Sequence, residues 1–110
     1  MPTLFKHEVV TDVGTTPVDV LQIQPGVRAT VIGVNLANKT EFDTININLY
    51  VIDENSTVAT YAKAIPIPPN TSLKMITQGE KLILPANSGI RIESDTDDSV
   101  DAVISYVEIS

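Results

Sequence analysis

The feature that most constrains this chain is its two-residue hydrophobic period. Thr44 to Ile52 reads TININLYVI. Ile45, Ile47, Leu49 and Val51 fall on one side, and Asn46, Asn48 and Tyr50 on the other. An extended backbone sends successive side chains to opposite faces, so this pattern describes a strand with one face in a core. A helix would scatter the same residues around its circumference.

The pattern recurs. Val27 to Ala37 is a second long strand, with Ile32, Val34 and Leu36 placed on one face. Val100 to Ile109 is a third, apolar on both faces, which fits a strand central in a sheet or covered by a partner. Shorter strands are expected at Val18–Ile23, Val58–Ile65, Ser72–Thr77, Lys81–Leu84 and Gly89–Ser94. Between them lie turn-forming groups: Pro25-Gly26, Asn38-Lys39-Thr40, Asp53 to Ser56, Pro68-Pro69-Asn70, Gln78-Gly79-Glu80, Pro85 to Gly89 and Asp95 to Ser99. Short strands separated by turns about every ten residues make an all-β fold, an antiparallel β-sandwich of about eight strands. No stretch carries a 3.6-residue apolar stripe, so little or no helix is expected.

With 110 residues the chain is expected to form one domain, spanning 15–110, preceded by an N-terminal arm, 1–14, that ends at Gly14. Apolar residues make up 43% of it, enough to support a core without disulfide staples. The sequence contains no cysteine, which removes disulfides and thiolate chemistry and favours assembly in a reducing cytoplasm. The net charge of −7 repels phosphate backbones, so no nucleic-acid partner is expected. No apolar run is long enough to span a membrane, and Met1 to Val10 lacks the apolar stretch of a secretory signal.

Reactive groups are few. His7 is the single histidine and lies in the arm, a poor position for the base of a catalytic triad or for a metal ligand. Asp95, Asp97, Asp98 and Asp101 gather four carboxylates within seven residues, which reads as a solvated turn or as a calcium loop. The EF-hand spacing is not met: Val100 stands at the sixth position and Tyr106 at the twelfth. The glycines are scattered, so no phosphate-cradling loop exists. No catalytic residue, cofactor or metal is therefore expected. Tyr50 and Tyr61 are the candidates for a minimal sugar-stacking platform. An interface is expected to draw on Leu4 and Phe5, the apolar pair of the arm, on the two arginines Arg28 and Arg91, and on Tyr106 of the last strand.

Four stretches resemble small virion proteins of tailed bacteriophages: Val27 to Asn38, Ala64 to Leu73, Glu80 to Ser94, and Asp98 to Ser110. The likeness covers roughly residues 15 to 110 and consists of strands joined by proline turns. It implies a β-sandwich or jelly roll serving as a structural protein of the particle. The role implied first is a decoration, or cement, protein on the capsid exterior. Such a protein assembles in the host cytoplasm, bridges major capsid subunits and forms a homotrimer. A tail position, as fibre, collar or baseplate component, or a host-glycan-binding domain, is the alternative. The resemblance carries no catalytic residues.

Overall fold

A computed structural model of the protein describes residues 3–76 and 82–109. The chain forms nine strands: β1 (Thr3–Val13), β2 (Val18–Gln22), β3 (Arg28–Asn38), β4 (Ile45–Ile52), β5 (Val58–Ile67), β6 (Ser72–Ile76), β7 (Leu82–Leu84), β8 (Gly89–Ser94) and β9 (Val100–Ile109). Among the described residues there is no helix, and so none long and apolar enough to cross a membrane.

The strands build two antiparallel sheets. One runs β1-β9-β3-β6, with β7 also pairing β3; the other runs β2-β8-β4-β5. Because β6 and β7 share one edge of β3, nine strands occupy eight positions, four to a sheet. The chain passes from sheet to sheet along most of its length, which is the jelly-roll arrangement of two packed Greek keys. The turn expected at Gln78-Gly79-Glu80 and the strand start at Lys81 lie outside the described residues.

The core lies between the sheets. Ile45, Ile47 and Leu49 from β4 meet Leu36, Ala102 and Ile104 from β3 and β9, all fully buried. Each large aliphatic side chain so buried contributes about 1.5–3 kcal/mol. The proline turns end strands where the chain must adopt left-handed backbone: Gly26, Asn70 and Asn87 have φ of 80°, 58° and 66°. Pro66 lies within β5, an edge strand, where its missing N–H costs little.

One face assignment is corrected. Ile32 does not share a face with Val34 and Leu36. A bulge between Val31 and Gly33 shifts the alternation, so Val31, Val34 and Leu36 are buried while Ile32 is exposed. A bulge adds one residue to a strand and reverses the phase beyond it.

Residues 3–13, expected as an arm ahead of the sandwich, run along β9 as an edge strand, in register from Thr3↔Ile109 to Val10↔Ala102. Apart from Val10 and Val13 the strand is exposed throughout. Its far end is fastened at Asp12, where φ is 59°. The Asp12 backbone N–H donates to Asp101 Oδ1 at 3.1 Å, and Lys39 Nζ reaches both Asp12 and Asp101.

Candidate interface surfaces

Alternation makes the outward residues of each sheet readable from the inward ones. In β9, Val100, Ala102, Ile104 and Tyr106 are buried, so Val103, Ser105, Val107 and Ile109 face out. The register carries this face across the first sheet. Phe5 of β1 lies opposite Val107, Val107 opposite Thr30 of β3, and Thr30 opposite Ile83 of β7. Phe5 is 81% exposed and Ile83 71%. The same face carries Val9 beside Val103, and Ile32 at its bulge. Next to this row is a concavity of about 370 Å³ lined chiefly by Val27, Ile83, Pro85 and Ile109, together with Arg28. Among the described residues Arg28 makes no ion pair.

The second sheet presents a different surface. Its outward positions hold Asp19, Arg91 and Tyr50 in one register row, and Glu93 and Asn48 in the next. Arg91 Nε donates to Asp19 Oδ1 at 2.7 Å. The Tyr50 hydroxyl donates to Glu93 Oε1, and Asn48 Nδ2 donates to the same oxygen at 2.9 Å. The Tyr50 hydroxyl, with the Asn48 amide, holds the Glu93 carboxyl below the ordinary range, and the carboxylate in turn pushes the Tyr50 hydroxyl up. Asn48 Oδ1 accepts the Ala64 N–H at 2.8 Å, where β5 bulges through positive φ. The polar groups at the centre of this face are thus paired with one another, with Val58 and Tyr61 exposed on its edge strand, while among the described residues nothing covers the apolar groups of the first sheet's outer face.

The expected interface residues are spread over these surfaces. Leu4 and Phe5 lie on β1, with Leu4 opposite Glu108 on the other side of the sheet from Phe5. Arg28 lines the concavity, and Arg91 is held within the chain by Asp19. Tyr106 is inside the core, 5% exposed, so the structure does not bring it to a surface. Burial pushes its hydroxyl pKa up, with Glu8 adding to the effect. Sequence reasoning missed Ile83 and Phe42. Phe42, 87% exposed, sits on the β3–β4 loop. The sequence carries a signal for it: an aromatic within a polar turn has no alternating partners to bury it.

The acidic turn between β8 and β9 uses its carboxylates locally. Burial opposes ionisation of Asp95, yet the Asn46 N–H, the Thr96 hydroxyl and the Asn46 amide outweigh it and hold the carboxyl low. Asp97 accepts the Thr15 hydroxyl at 2.7 Å and its N–H at 3.3 Å, and these bonds lower its pKa. Ser94 and Ser99, both buried, join Oγ to Oγ at 2.7 Å beneath the turn. Among the described residues no three histidine, aspartate or glutamate side chains gather as a metal site. His7 lies on the outer face of β1, opposite Ser105.

No family model matches the sequence, and no curated protein matches it. Solved structures similar in shape include the following three. A chain of Bacillus endospore appendages, described as disulfide-linked pili, superimposes with a TM-score of 0.56 at 9% identity, over 98% of this chain and 88% of that one. A chain of infectious bursal disease virus, Gx strain, gives 0.47 at 11% identity; this chain is covered to 97% but spans 29% of the viral one. A chain of the cyanophage Pam1 capsid asymmetric unit gives 0.40 at 17% identity, over 98% of this chain and 85% of that one. At 9% identity the likeness to the pilus chain is one of fold alone: that chain and this protein share a two-sheet β fold.

Proposed function

We propose that this protein is a structural component of a virus particle, a decoration protein that seats on the capsid exterior and bridges major capsid subunits. The observation that carries the reading is the contrast between the two outer faces. The Phe5–Val107–Thr30–Ile83 row leaves large apolar side chains in water, while the centre of the opposite sheet is polar and internally paired, with Val58 and Tyr61 exposed only on its edge strand β5. Such an uncovered apolar face marks a surface that another protein covers. The jelly-roll order and the resemblance of residues 15 to 110 to tailed-phage virion proteins support placing that partner in a capsid. Its assembly uses no disulfide of its own, since the chain has no cysteine. Many copies on one particle turn weak single contacts into firm attachment.

Arg28 and the adjoining concavity supply a polar anchor at the end of the row, suited to a carboxylate beside an apolar side chain on the capsid subunit. The test is particle occupancy. Capsids lacking the protein are incubated with the parent chain or with Ile83→Ser or Arg28→Ala, and bound copies are measured by gel densitometry. The expected result is many copies per capsid for the parent and marked loss for both variants. Few copies, confined to tails, would reject the decoration role in favour of the tail or glycan-recognition alternative, in which Tyr61, 44% exposed on β5, would be the stacking residue.

A further inference from the structure

We infer that two copies of this chain pair through β1, antiparallel, about a two-fold axis that passes by His7. The inference goes beyond the capsid reading and does not depend on it, because it concerns the purified chain in solution.

Among the described residues β1 is the long open edge. It occupies the end position of its sheet, and its register with β9 is unbroken from Thr3 to Val10. The remaining edges are poorer templates. β2 has five residues, β5 contains Pro66 and two register shifts, and β6 and β7 divide the other edge of β3 between them. An edge strand offers a row of unpaired N–H and C=O groups to any strand able to lie beside it. Residues 4–9 are exposed on both faces of the sheet, so little besides the partner's own shape restricts approach.

Symmetry then restricts the register. Paired residues in an antiparallel ladder lie on the same side of the sheet, and a two-fold axis preserves inside and outside. Odd residues must therefore meet odd ones and even must meet even, which puts the axis at a residue and never between two. With the axis at Lys6, like charge faces like charge, Lys6 against Lys6. With the axis at Glu8, Glu8 faces Glu8. With the axis at His7, Lys6 lies opposite the partner's Glu8 and Glu8 opposite the partner's Lys6. The same register sets Phe5 against the partner's Val9 and Leu4 against the partner's Val10. The run Leu4-Phe5-Lys6-His7-Glu8-Val9-Val10 is thus complementary to its own reverse in charge and in hydrophobicity. Cross-strand pairs of these kinds stabilise a ladder, and like charges directly opposite destabilise it.

The neighbouring charges leave room for the exchange. Lys6 Nζ contacts Glu108 of β9 at 3.0 Å and retains further donors, while Glu8 makes no ion pair among the described residues. The dimer would join the outer apolar faces of two molecules into one surface, with the Phe5 side chains near its centre.

The test uses the full chain. His7→Cys puts one thiol on each copy, and the axis sets the two Cα atoms about 4.5–5.5 Å apart, within disulfide reach. Mild oxidation is expected to yield a covalent dimer. Thr3→Cys, eight residues from its symmetry mate, is expected to yield none. In sedimentation velocity at low salt, Glu8→Lys and, separately, Lys6→Glu/Glu108→Lys are expected to weaken association at least about tenfold by facing like charges. The equimolar mixture of those two variants is expected to restore a one-to-one dimer, since each then opposes the complementary charge. A monomeric parent chain, a trimer indifferent to Glu8→Lys, or equal oxidation of the Thr3→Cys and His7→Cys variants would overturn the inference. Failure of particle occupancy with the dimer intact would overturn the capsid reading alone.

Discussion

Asn38 is the buried polar residue on which one corner of the sandwich depends. It ends β3, is 2% exposed, and spends its whole amide. Nδ2 donates to the carbonyls of Asp43 and Ile67, each at 2.8 Å. Oδ1 accepts the Thr40 N–H at 2.9 Å, and the Thr40 hydroxyl lies 2.7 Å away. One side chain therefore clamps the β3–β4 loop, which presents Phe42, to the end of β5. Asn38→Ala removes these bonds, whereas Asp43 keeps the Thr40 hydroxyl as a donor. With a net value near 1 kcal/mol for each of the three bonds to backbone that have no replacement, the loss is about 3 kcal/mol. For a chain of this size that lowers Tm by about 12 °C. Asn38→Asp keeps the acceptor towards Thr40 but turns a carboxylate oxygen on two carbonyls. Burial and those carbonyls raise the folded-state pKa of the introduced carboxyl, so the native state binds more protons than the unfolded state. Stability of this variant accordingly falls as pH rises. Equilibrium urea unfolding followed by circular dichroism checks both. Asn38→Ala within about 1 kcal/mol of the parent, or an Asn38→Asp variant more stable at neutral than at mildly acidic pH, would refute the account.

Two further outcomes follow from close packing and from hydrogen bonding. Gly89 of β8 lies between Gln22 and Ile52 of the flanking strands, and a Cβ there would stand 2.4 Å from the Leu21 carbonyl oxygen. Gly89→Ala is expected to cost about 1–3 kcal/mol in urea unfolding, because both neighbours are backbone-paired and cannot withdraw; a neutral result would show that β2 moves freely. Glu93 is held low chiefly by the Tyr50 hydroxyl, so its contribution to stability is present above its unfolded pKa and is lost as pH falls through the folded one. Tyr50→Phe is expected to move the Glu93 carboxyl titration upward, observed by carbon-13 NMR, and an unchanged midpoint would rule out that bond as the cause.

The strands with one buried face were legible because burial writes a period of two into the sequence. β4 and β8 are the examples, while β9, apolar on both faces in the sequence, has the bounds expected for it and buries one face fully. The turns were legible as well, since Gly26, Asn70 and Asn87 are residue types that tolerate left-handed backbone. β1 was not. Lys6, His7 and Glu8 separate its apolar residues, and neither face is buried, so nothing in the pattern distinguishes it from an arm. Ile32 was misplaced because a bulge depends on the strand across from it, which local sequence does not name. The same holds for the contrast between the outer faces. Phe5 and Ile83 are 78 positions apart in the chain and join one row only through the register of β9 and β3. Alternation, a local property of the chain, determined the strands that bury one face and, away from bulges, which side chains they bury. Pairing is nonlocal, so only the tertiary structure decided which strands are neighbours, which edge stays open, and which exposed residues form a surface.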